Sequence, residues 1–133
     1  MKTRIALLVL IVSFLFVGCA TIKPTMTPEQ QFTYNAYQVL NKSKIVYDTI
    51  TDGFIDLRGQ GLIDESTWDR FIKYADIYAD AHNAAVSVLY TYEVTKDPTL
   101  QRRVTTHLEA LTKALADLVG YAQPYLEKHF IKT

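Results

Sequence analysis

The chain reads as an all-α protein, an antiparallel three-helix bundle. Apolar residues recur every three or four positions from Pro28 onward, and the pattern is divided at Gly59–Gly61 and at Pro98. Each resulting segment also opens on a residue able to cap a helix. The predicted helices span residues 28–58, 64–95 and 98–123, with a bent C-terminal extension. At about 30 residues each they would form a rod roughly 45 Å long.

The first helix begins at Thr27-Pro28-Glu29-Gln30. Threonine can cap, proline suits the first helical position, and Gln30 can close a capping box. Its apolar seam runs through Phe32, Ala36, Val39, Ser43, Val46, Ile50, Gly53 or Phe54, and Leu57. Arg58-Gly59-Gln60-Gly61 should end it, because glycine accepts the left-handed conformation that follows a helix. Asp64 can cap the second helix, with Ile63 and Trp68 at the two positions of a hydrophobic staple. That helix carries the seam Trp68, Phe71, Ala75, Tyr78, His82, Ala85, Leu89 and Tyr92, widened by Ile72, Ala79 and Val86. It should stop before Lys96-Asp97-Pro98, where Asp97 becomes the cap of the third helix. The third seam comprises Leu100, Val104, His107, Leu111, Ala114, Leu118 and Tyr121, with Leu108 and Leu115 beside it. Pro124 removes one backbone hydrogen bond, so a kink is expected there, with residues 125–133 continuing as a bent turn or fraying.

Ahead of the helices, Lys2 and Arg4 precede an apolar run of 13 residues, Ile5 to Val17, closed by Gly18 and Cys19. This is the layout of a secretory signal. Thirteen helical residues rise about 20 Å, well short of the roughly 30 Å hydrocarbon core that a membrane span must cross. Phe16-Val17-Gly18-Cys19 resembles the lipobox of bacterial lipoprotein signal peptides, with Phe16 where leucine is usual. The resemblance implies removal of residues 1–18, a diacylglycerol thioether on Cys19, and acylation of the new amino terminus. Ala20 follows the cysteine where an aspartate would retain a lipoprotein in the inner membrane. In a cell with two membranes the resemblance therefore implies the outer membrane, on the periplasmic side. Residues 19–27 would form a lipidated tether and residues 28–133 the folded domain.

Cys19 is the single cysteine, so disulfides cannot stabilise the fold, and cysteine-based zinc, iron–sulfur and c-type haem sites are excluded. The 14 basic and 14 acidic residues become 12 and 14 once Lys2 and Arg4 are removed. A net charge near −2 argues against nucleic acid or anionic lipid as the main partner. The sequence has no phosphate-binding glycine loop, nucleophile elbow, metalloprotease helix or dinucleotide fingerprint. An enzyme is not expected, and no cofactor is implied.

Three groups of residues remain as candidates. His82 and His107 fall on facing seams and differ by about 7 Å in height along the rod, so they are the candidate ligand or metal residues, against the plainer reading of two hydrogen-bonded core histidines. Asp48, Asp52 and Asp56 align on one face of the first helix, as a solvated face would. Eight of the nine tyrosines form near pairs that suit either a wide core or an interface. Of these, Tyr121 and Tyr125, together with Phe130, fall at the end remote from Cys19 and are the candidate partner-binding residues. The function expected is that of a non-catalytic structural or adaptor lipoprotein that binds another envelope protein. The competing expectations are a small-ligand or metal-binding envelope lipoprotein and a phage- or lysis-related envelope factor.

Overall fold

A computed structural model of the chain describes residues 25–130. Three helices account for nearly all of them: α1 (Pro28–Gly59), α2 (Glu65–Thr95) and α3 (Pro98–Phe130). They form an all-α, antiparallel three-helix bundle in which α2 and α3 are the most extensively packed pair. Among the described residues no helix is long and apolar enough to cross a membrane.

The ends are built as the sequence predicts. The Thr27 hydroxyl accepts from the Gln30 amide while the Gln30 side chain accepts from the Thr27 amide, a closed capping box. At the other end of α1 the Leu62 amide reaches back to the Leu57 carbonyl and the Gly61 amide to that of Arg58. Gly61 has φ of +68°, so this is a Schellman stop with glycine in the left-handed position. Asp64 caps α2 by accepting from the Thr67 amide, and Asp97 accepts from the amide and hydroxyl of Thr99 at the start of α3. Both carboxyls are held below the usual carboxylate range, first by these hydrogen bonds. Helix α2 ends differently, on Lys96 at φ of +55°. A side chain there carries the steric cost that Gly61 avoids.

The core is a continuous apolar column in which Phe54, Phe71, Ala85, Leu89, Val104, Leu111, Leu115, Leu118 and Ala122 are wholly buried. Phe54 occupies the inward position for which Gly53 was the other candidate. Two seam expectations need correction. Ile72 and Val86, assigned to the widened stripe of α2, are 36% and 40% exposed, and Val88 on the opposite flank is buried instead. Helix α3 runs without interruption through Pro124 to Phe130 rather than ending near residue 123. Pro124 offers no amide to the carbonyl of Gly120, an exposed residue, and Tyr125 and Leu126 pack against the core beyond it.

One polar contact lies inside this column. Ser43 is fully buried and donates to the Leu40 carbonyl at 2.9 Å, which leaves its oxygen free to accept from the Tyr78 hydroxyl at 3.0 Å. Burial pushes the Tyr78 hydroxyl up to about 12. Ser43→Ala strands that buried hydroxyl and should cost about 1–3 kcal/mol, whereas Tyr78→Phe leaves Ser43 its carbonyl partner and should cost less. Urea unfolding of both variants and of the double variant checks this. Additive losses would show that the two hydroxyls do not interact.

Candidate functional site

The antiparallel arrangement gives the rod two distinct ends. Phe32 of α1 meets Tyr92 of α2 edge-on at 5.4 Å, and the Tyr37 hydroxyl donates to the Glu93 carboxylate. These contacts put the start of α1 beside the end of α2, at the end where the chain arrives from Cys19. Cys19 itself lies outside the described residues. The distal end holds the Gly61 turn, the start of α2 and the last turns of α3.

An aromatic cluster organises that distal end. Phe54 stacks on Phe71 at 4.1 Å, and Tyr125 meets Phe54 edge-on at 5.7 Å. Tyr121 stacks on Tyr74 at 5.1 Å and donates its hydroxyl to the Thr67 carbonyl at 3.0 Å. Burial first, and the Tyr125 hydroxyl second, push the Tyr121 hydroxyl up to about 12. Arg58 lies over the Trp68 ring at 4.9 Å and pairs with Glu65 across the turn.

Tyr121 and Tyr125, the sequence-predicted partner-binding residues, are thus half-buried and joined α3-to-α2 and α3-to-α1. Both rings pack against the core and remain partly exposed. Phe130 closes α3, and its side chain lies outside the described set.

The surface around Tyr74 and Tyr121 is dished on both sides. One depression of about 580 Å³ is lined by Tyr74, Ala116, Asp117, Gly120 and Tyr121. A second, of about 520 Å³, is lined by Arg70, Lys73, Tyr74, Ile77 and Tyr121. Ile77 is 57% exposed, an apolar side chain among charges. Sequence reasoning missed Arg70, Tyr74 and Ile77 as site residues. The available signal was Ile77 itself, which sits off the seam on the same outer face as Lys73 and Asp80. A third depression of about 420 Å³ lies at the start of α2 against Tyr125, Lys128 and His129.

The structure places the histidines less centrally than their seam positions suggest. Both are partly exposed. His82 sits beside the Tyr78 ring at 5.8 Å, with Lys44, Asp48 and the Leu40 carbonyl of α1 as its electrostatic surroundings. Burial first and Lys44 second hold its pKa below the ordinary 6.5, so protonation disfavours the fold. The unfolded chain then binds the extra proton as pH drops below 6.5, and stability should fall until the folded-state pKa is passed. Thermal melts at pH 7.5 and 5 should show this loss in the wild type and a shallower one in His82→Gln. Identical slopes would remove His82 from the effect. Among the described residues no three His, Cys, Asp or Glu side chains converge on one point, so nothing joins His82 or His107 to a third ligand. Of the aspartate row, Asp48 pairs with Lys44, and Asp52 and Asp56 face solvent, as a solvated face should.

Comparison of the chain with models of known protein families, with curated proteins and with solved structures finds no match.

Proposed function

We propose that the chain is a lipid-anchored, periplasm-facing lipoprotein of the outer membrane and a non-catalytic adaptor, one end tethered at Cys19 and the other presented to a second envelope protein. The observation that carries this reading is the lone cysteine at the end of Phe16-Val17-Gly18-Cys19, behind a basic start and an apolar run. Two features support it. The domain contains no membrane-spanning helix among its described residues, so attachment would rest on Cys19. The distal α2–α3 face sets exposed Ile77 between Arg70, Lys73 and the edge of Tyr74, an apolar centre with a charged rim as at protein interfaces.

A photo-crosslinking residue at position 77 of the intact lipoprotein tests the adaptor role. A discrete adduct that disappears in an Arg70→Glu, Lys73→Glu background is the expected result. An adduct at position 77 that survives in that background, or none at position 77, would refute this face as the contact.

A further inference from the structure

We propose that the tether-proximal half of the α1–α2 face is a bilayer-docking surface, so that the domain leans against the lipid headgroups instead of standing free of them. This rests on the reading of Cys19 as the lipid site. Charge is distributed unevenly along α1 and α2. Residues 30–41 of α1 contain no charged side chain, and neither do residues 81–92 of α2, where His82 is biased toward its neutral form. The two stretches lie side by side, as the Phe32–Tyr92 and Tyr37–Glu93 contacts show. The remaining halves of both helices carry Lys42, Lys44, Asp48, Asp52, Asp56 and Arg58 on α1, and on α2 Glu65, Asp69, Arg70, Lys73, Asp76 and Asp80.

Apolar side chains stand outward in both halves, Ile45, Ile55 and Ile77 among the charges, but in the uncharged stretch they form one line. On α2, Tyr90 and Val94 are 65% and 66% exposed, and Val86, one turn earlier on the same line, is 40% exposed. Their exposed neighbours Asn83, Ser87, Thr91 and Thr95 are uncharged. Tyr37 of α1 borders the row, and its hydroxyl engages Glu93, the nearest carboxylate. A surface of tyrosine, valine and hydroxyl side chains, on which Glu93 is hydrogen-bonded and Glu29, Lys96 and Asp97 stand only at the helix ends, matches the half-apolar zone at the edge of a membrane, where tyrosine places its ring among acyl carbons and its hydroxyl among headgroups.

Chain length selects the lipid surface as occupant. Cys19 lies eight residues before the Thr27 cap, a reach of at most about 28 Å, and Thr27 is at the same end of the bundle as Tyr90 and Val94. A lipidated Cys19 would hold this face within one short tether of the bilayer. The Arg70–Ile77 face would remain farther along the rod.

Trp68, the only tryptophan, marks the distal end and provides an internal control. The lipidated full-length product is reconstituted in phosphatidylcholine vesicles whose acyl chains are brominated close to the headgroup. Wild-type emission, from Trp68, should be unquenched. Emission from a Trp68→Phe, Tyr90→Trp variant should fall at least twofold, as should that of Trp68→Phe, Val94→Trp, and the quenching should persist in high salt because no charge mediates it. Vesicle-bound protein unquenched at both positions would overturn the docking face while leaving the anchor standing. Failure of the protein to float with vesicles would overturn the anchor and the docking face together. A photo-crosslinker at position 90 that joins two copies of the chain would overturn docking in favour of self-association.

Discussion

Phe54→Ala should lower the stability of the domain by about 3–5 kcal/mol, the range for deleting a large aromatic ring from a core that cannot close around the gap. Phe54 has no solvent exposure, stacks on Phe71 at 4.1 Å and touches Tyr121 and Tyr125 at 6.3 and 5.7 Å. It is where all three helices meet at the distal end. Removing it takes the ring from between α2 and α3, so the loss includes aromatic pairing as well as burial. The next residue supplies the control. Ile55 is 52% exposed, and Ile55→Ala should stay within about 0.5 kcal/mol of the wild type. Urea unfolding followed by circular dichroism measures both. A Phe54→Ala loss below about 1 kcal/mol would mean that the distal core is not packed as described.

Cys19→Ser should have the largest effect on where the protein resides. Acyl chains contribute about 0.8 kcal/mol per buried CH₂, and one chain alone anchors only marginally, so the several chains implied at Cys19 would make attachment effectively permanent. Serine offers no thiolate for the thioether, and no described helix can take over as a span. The expected result is loss of the lipid increment from the intact mass and disappearance of the protein from the outer-membrane fraction. An unchanged mass apart from the sulfur-to-oxygen difference, with unchanged fractionation, would refute lipidation at this residue. Neither substitution should affect the other's readout, because the core and the tether share no residues.

Much of the bundle was legible because helix ends are written in short-range chemistry. Thr27 with Gln30, Asp64, Asp97 before Pro98, and Gly61 each solve a local problem of unpaired amides or left-handed backbone, and local problems show in sequence. The rotation of each helix was less legible. A stripe broad enough to face two neighbours has two flanks, and periodicity does not say which flank meets a partner. Ile72 and Val86 were therefore assigned inward, while Leu40, Val88, Val119 and Ala122 were passed over. Tyrosine was ambiguous for a related reason. Tyr78 and Tyr92 are buried and Tyr90 is exposed, although all three lie within 15 residues of one helix, because the ring suits core and surface alike. At the candidate site, the distal location of Tyr121 and Tyr125 followed from connectivity, whereas their engagement with Thr67, Tyr74 and Phe54 is tertiary and has no sequence signature.

The uneven packing of the three helices bears on the order in which the chain can fold. Helices α2 and α3, the best-packed pair, are joined by only Lys96 and Asp97, so their contacts close a short loop at small entropic cost. That hairpin should form early, with α1 docking onto it afterwards. Helix α1 is the first to leave the ribosome and the last to find its partners. Its apolar seam has only α2 to pack against until the C-terminal third of the chain exists, so the polypeptide should become a rigid rod only when α3 is complete.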